Sequence, residues 1–230
     1  MKRRGEIKMK IYDLSATIEE GMWYYGKPYV PYETEKLATV KANGYITNKH
    51  VITSHTGTHL ENAAHWWDDA EGAEKMPLDK IIGSAKTLRF PCGQRPFYEI
   101  TVDMLKDAGG ERLEKGDICI IVTGWDQRMT EENYTWESPY ITVEAAAYLV
   151  EKGIKAFAID APMLGDPRDG MDVVPEGTEV PDFAFAKNGI PCVLGLVDAA
   201  VLPDEVMFVA VPLKLKGADG SPVRAFAYVE

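Results

Sequence analysis

The sequence predicts an α/β fold built on a mixed sheet, and three observations carry that prediction. Helices and apolar strands alternate through the middle of the chain, and both ends read as strand alone. No linker or shift of composition divides the 230 residues, so residues 1–230 are expected to form one domain.

The elements follow in order. "KIYDLS" opens as a short strand running into Ser15. "YITNKHVITS", from Tyr45 to Ser54, is rich in Thr, Ile and Val and reads as a second strand,. "SAKTLRF" is a third, stopped by Pro91. In "ITVDMLKDAGG" Thr101 can cap a helix with Asp103 in its first turn and Gly109 as terminator, and the apolar "ICIIVT" follows as a strand,. "ITVEAAAYLVEKGIKAFAID" repeats that plan: Thr142 caps, Glu144 sits in the first turn, Gly153 ends the helix, and a strand leads to Asp160. Residues 161–181 are thick with Gly, Pro and Asp and read as a long ordered loop,. "DFAFAKN" is a short helix ending at Gly189, "IPCVLGL" a buried strand, and "VMFVAV" and "PVRAFAYV" are strands joined across a "GADGSP" turn.

Composition narrows the function classes. A hydrophobic share of 46% supports an ordinary core, and a net charge of −11 argues against nucleic acid or an anionic membrane as partner,. Cys92, Cys119 and Cys192 are too few and scattered for a disulfide framework, which favours a reducing, cytoplasmic setting,. "MKRRGEIKMK" is basic with no apolar stretch behind it and reads as no secretory signal,. No run approaches the roughly 18 apolar residues of a membrane span,. Nucleophile-elbow and phosphate-loop motifs find no match,.

"SHTGTHLENAAHWW", residues 54–67, holds three of the four histidines in the chain. His55, His59 and Glu61 offer two nitrogens and one oxygen within seven residues, a donor set suited to a first-row divalent ion,. The spacing resembles a zinc-protease H-x-x-x-H, but Gly57 and Thr58 are poor helix formers,. A strand running into a loop suits the stretch better, with Gly57 permitting a sharp turn that brings both imidazoles to one ion. His65 lies close enough to take a proton from an activated water and hand it to a leaving amine,. Any one of these histidines alone would read as an ordinary turn residue, with His65 packed on Trp66 and Trp67. Their density decides for the ion. His50 reads as a strand residue without a special role.

"HTGTHLENAAH" resembles the motif H-x-G-T-H-x-D-x-P-x-H of the metal-dependent cyclase family, which includes kynurenine formamidase and isatin hydrolase. "IYDLSATIEEGM", "VTGW" and "PLKLKGADGSPVRAFA" resemble further family motifs in the expected order. The resemblance implies a swivelling β/β/α fold and hydrolysis of an amide bond in a small cyclic or N-acyl, often aromatic, substrate. It implies metal binding by His55, His59 and Glu61, with His65 catalytic, one divalent ion (manganese or zinc), and a homodimer or homotetramer. Glu61 stands where the family has Asp, and Asn62-Ala63 replace its Ala-Pro. A second-metal stretch of the family aligns with "DFAFAKNGIPCVL", placing Asp182 at a histidine position and Leu194 at a glutamate position. Asp182 can still ligate and Leu194 cannot, so a single ion is expected. Trp66 and Trp125 are expected to contact the substrate. Two alternatives remain at this point: a silent binding protein of the same fold, and a metal-dependent lyase or dehydratase.

Overall fold

In the computed structural model, which describes residues 9–170, 174 and 177–229, the chain begins its sheet with β1 (Lys10–Asp13). It then builds a hairpin from β2 (Glu33–Ala38), α1 (Val40–Asn43) and β3 (Thr47–Val51). A turn leads to β4 (His59–Glu61), and α2 (Leu78–Ile81) runs straight into β5 (Ile82–Arg89). Two similar units follow: β6 (Glu99–Ile100), α3 (Val102–Asp107) and β7 (Ile118–Val122), then β8 (Tyr140–Ile141), α4 (Val143–Glu151) and β9 (Ala156–Ile159). The chain continues through α5 (Pro181–Lys187), β10 (Cys192–Leu194), β11 (Glu205–Val209), β12 (Gly220–Pro222) and β13 (Phe226–Val229).

Nine strands form one mixed sheet in the order β1-β13-β11-β5-β7-β9-β10-β4-β12. The central four, β5, β7, β9 and β10, run parallel, and their neighbours on both sides are antiparallel. This is the mixed α/β architecture that the alternation of elements predicts. Thr101 and Thr142 cap their helices as expected, accepting from the Met104 and Ala145 amides,. Each cap turns a helix back over the sheet, which is what makes the parallel crossovers possible.

The apolar run of β7 follows from its place at the centre. Ile118, Ile120 and Val122 enter one core with Leu60, Val193 and Phe208. Cys119 and Ile121 enter a second core with Leu149, Phe157 and Phe185, beneath α3, α4 and α5. A strand covered on both faces reads as continuous hydrophobicity rather than alternation.

Two expectations need correction. The strand read over residues 45–54 is shorter, and it pairs with β2 in a two-stranded hairpin instead of joining the main sheet. Residues 59–61, read as loop, form a three-residue strand between β10 and β12. Three residues are too few to show a period, so only the pairing reveals them. The loop over 161–181 holds a 3-10 turn at Pro167–Asp169, while residues 171–173, 175 and 176 lie outside the described residues, as do residues 1–8 of the basic opening.

Candidate metal centre and substrate cavity

Strand β4 sets the site. Leu60 points into one core, so alternation turns His59 and Glu61 to the opposite face. There they stand opposite Leu194 and Cys192 of β10 in the antiparallel register. On the other side β12 lies so close that a Cβ at Gly220 would sit 2.5 Å from the Leu60 carbonyl oxygen, so only glycine fits. That close approach brings Asp219, the preceding residue, over the histidines. Gly57 has φ +64°, and the turn it makes folds His55 back beside His59,. The two imidazole rings have centroids 5.0 Å apart.

His55, His59 and Glu61 are buried, and one ligand atom of each lies within 4.8 Å of the others. His55 donates from Nδ1 to Glu61 Oε1 at 2.9 Å and from Nε2 to Asp219 Oδ2 at 2.7 Å. Burial opposes a charge on this ring, but the hydrogen bonds to Asp219 and Glu61 outweigh it and raise its pKa to about 9. On His59 burial, helped by the charge of His55, outweighs the pull of the Glu61 carboxylate, and the pKa is lowered. Glu61 is driven upward by burial, yet the hydrogen bond and charge of His55 hold its carboxyl well below the usual range.

The geometry tests whether a cation fits. His59 donates from Nδ1 to the Gly57 carbonyl at 2.8 Å, an assignment that follows from the carbonyl's having no proton to give,. Its Nε2 is then a bare acceptor, and it faces the Glu61 carboxylate oxygen at 3.4 Å. Two acceptors aimed at each other in a buried site repel, unless a cation lies between them. Two imidazoles and a carboxylate suit a first-row divalent ion, so the residues present fit a metal.

His65 sits at the rim in a 3-10 turn that Asn62 caps by accepting from the Ala64 amide. Its Nδ1 donates to Asp219 Oδ2 at 3.0 Å, and its ring lies 4.4 Å from that of His55. Asp219 therefore joins His55 to His65, and these three make a second compact cluster. Sequence reading did not single out Asp219. The signal for it was its place in "PLKLKGADGSPVRAFA", a stretch that resembles a family motif, 154 residues from His65.

In front of the cluster opens a cavity of about 950 Å³, lined among others by Tyr29, Trp66, Tyr140, Arg168, Asp182 and Leu194. Tyr29 and Tyr25 present ring edges to His55 and His59 at 5.3 and 6.1 Å. Tyr25 is fixed by donating its hydroxyl to the Pro162 carbonyl. Trp66 stands edge-on to His65 at 4.8 Å and to Phe183 at 5.1 Å. At the far end Arg168 pairs with Asp166 and donates to the Tyr140 hydroxyl at 2.9 Å.

Five residues read from the sequence can be set against this arrangement. Trp66 lines the cavity. Trp125 does not: it is fully buried in the core, its indole N–H donating to the Tyr134 carbonyl at 2.8 Å, which corrects its reading as a substrate contact. Asp182 stands on the cavity wall at the start of α5, where burial and the Glu61 charge push its pKa up to about 7. It belongs to neither compact cluster among the described residues. Leu194 faces the cavity beside His59 with an apolar side chain. His50 lies on the exposed β3, hydrogen-bonded to Tyr32 at 2.7 Å.

The sequence profile of the Cyclase family matches residues 12–165, two-thirds of the chain. The chain belongs to the Cyclase family. The kynurenine formamidase of Geobacillus thermodenitrificans is 31% identical over 175 residues, 76% of each protein. Isatin hydrolase A from Labrenzia aggregata superposes with a TM-score of 0.86 at 20% identity, covering 96% of this chain and 94% of that one, which makes the folds alike. A structure described as a predicted metal-dependent hydrolase from Bacillus stearothermophilus gives a TM-score of 0.74 at 26% identity, over 96% and 98% of the two chains. The Cyclase profile spans the whole cluster from His55 to His65 and ends short of Asp182 and Asp219.

Proposed function

We propose that this protein is a metal-dependent amidohydrolase that opens a cyclic amide or removes an N-acyl group from a small aromatic molecule. The observation that carries the reading is the His59 Nε2 facing the Glu61 carboxylate across 3.4 Å, an arrangement a cation completes. Formamidase and isatin hydrolase relatives support the amide class. One ion, manganese or zinc, is held by His55, His59 and Glu61. When bound, the ion supplies Lewis acidity and lowers the pKa of a water toward about 7.

The side chains divide the remaining work. Asp219 fixes the His65 Nδ1–H, which leaves Nε2 to take the proton of the attacking water and return it to the leaving nitrogen,. Asp219 also braces His55 from the side away from Glu61,. Tyr29 and Trp66 form aromatic walls for a flat substrate, and burial pushes the Tyr29 phenol up to about 12, so it stays protonated,. Asp182 closes the cavity wall near Glu61, and Leu194 withholds the carboxylate that a second ion would need.

The chain acts as a single domain over residues 1–230, as a homodimer or homotetramer, in the cytoplasm. Support for the last is that Cys92, Cys119 and Cys192 are free thiols, as a reducing compartment keeps them,. The experiment is a screen of formyl-anilides, isatin-like lactams and cyclic imides with manganese or zinc added. Turnover with uptake of one water supports hydrolysis. Loss of water marks the lyase reading, and no turnover of any of them marks the silent binder.

A further inference from the structure

An amide brings three polar groups into a closed site. Its carbonyl oxygen falls to the metal centre, and its leaving nitrogen to His65. The N–H on that nitrogen still needs an acceptor, because a donor buried without one costs free energy.

Seven carboxylates line the cavity among the described residues. Four of them are taken. Glu61 accepts from His55 and Glu99 from the Tyr140 hydroxyl at 3.1 Å. Asp166 pairs with Arg168, and Glu179 with Lys187 at 2.9 Å. Glu144 and Asp169 are exposed and keep their water. Asp182 is left. It is half-buried, and among the described residues its carboxyl accepts a hydrogen bond only from its own backbone amide.

The place of Asp182 fits an acceptor for the reacting amide. It shares a corner beside Glu61 with Trp66, Leu164 and Ile190, where an unmet carboxyl oxygen has little else to bond,. The charges of Glu61 and His65 both act on it, so it stands near the ligand set and the proton carrier together. Yet it belongs to no compact cluster of ligand atoms among the described residues, and its neighbour across the cavity wall, Leu194, offers none. A carboxyl group keeps an oxygen that accepts whether or not it carries a proton.

We propose that Asp182 accepts the N–H of the scissile amide, which confines the enzyme to secondary amides and turns the leaving nitrogen toward His65. The proposal deepens the amidohydrolase reading above and rests on it.

Hydrolysis of isatin and N-methylisatin by the manganese-loaded full chain tests it, since the methyl group removes the donor. Asp182→Ala and Asp182→Asn are the variants, with manganese content and circular dichroism measured for each. The wild type is expected to favour isatin. Asp182→Ala is expected to lose about 10–100-fold in kcat/KM on isatin, the worth of a hydrogen bond to a charged group, and less than about threefold on N-methylisatin. Asp182→Asn keeps an acceptor oxygen and is expected to lose less than about tenfold on isatin. Should the alanine variant misfold, Asp182→Leu removes the acceptor at nearly the same volume. Equal losses on the two substrates, or a wild type that favours neither, overturn the proposal and leave the amidohydrolase reading standing. Loss of the ion from Asp182→Ala makes Asp182 a ligand and overturns the proposal as well. A wild type that hydrolyses neither this pair nor formanilide and N-methylformanilide overturns both readings.

Discussion

Two buried carboxylates, Glu61 within β4 and Asp160 just beyond the end of β9, are 8% and 0% exposed. Burial opposes the charge of both, and their surroundings settle the matter in opposite directions. Asp160 follows β9 and accepts from the Thr123 amide at 2.9 Å, the Thr123 hydroxyl at 2.6 Å and the Gly124 amide at 2.7 Å. Those donors tie the ends of neighbouring parallel strands, yet burial still pushes its pKa up to about 6. Glu61 instead faces imidazoles and stays ionised. Backbone donors cannot leave, so Asp160 is a fixed staple. Imidazoles can exchange a proton for a metal, which suits Glu61 to the ligand role proposed for it. Burial alone does not tell a functional carboxylate from a structural one; the partners do.

The comparison predicts opposite consequences for the two amides. Glu61→Gln is expected to keep its fold, lose the ion even at saturating metal for the wild type, and drop turnover to background. Asp160→Asn is expected to keep the ion. Equilibrium dialysis with manganese checks both, and retention of the full ion by Glu61→Gln would break the contrast.

A smaller loss is expected at His65. Removing a general acid–base costs about 10²–10⁴-fold in rate. His65→Ala is therefore expected to lose turnover by that factor with its metal content unchanged. Loss of the ion in this variant would make His65 a ligand instead. Smaller again, Asp219→Asn weakens the brace on both histidines and is expected to reduce metal affinity or activity by about 10–100-fold, the usual cost of losing a partner behind a metal ligand. An Asp219→Asn enzyme equal to wild type in both respects would remove Asp219 from the site.

The smallest effect lies on the staple and appears as a pH dependence. The folded protein holds a proton on Asp160 more tightly than the unfolded chain, so its contribution to stability is complete below about pH 4 and is lost as pH rises through about 6,. Asp160→Asn lacks this loss. The stability gap between the two is expected to move in the variant's favour by about 2 kcal/mol between pH 4 and pH 7,. Denaturant titrations at the two pH values measure it, and a constant gap would mean that the carboxyl titrates normally when folded.

The sequence makes the ligands legible and the brace almost invisible. His55, His59, Glu61 and His65 are crowded into eleven residues, and density of that kind survives any uncertainty about local structure. Asp219 reaches them only because Gly220 lets β12 lie against β4, a contact with no local signature. Trp125 fails for a related reason: an aromatic beside Gly124 looks the same in sequence whether it faces a core or a cavity. The parallel strands are easy to read because burial on both faces makes them uniformly apolar. The hairpin is hard to read, since neither of its faces is buried and no period results.

The central claim is that the ion sits on His55, His59 and Glu61. The neighbouring cluster of His55, His65 and Asp219 approaches the same histidine from its other nitrogen. Anomalous scattering from crystals grown with manganese separates the two most directly. The account predicts a single peak at about 2.0–2.2 Å from a nitrogen of His55, the Nε2 of His59 and a Glu61 oxygen. A peak bound instead between His65 and Asp219, or a second full peak on Asp182, would contradict it.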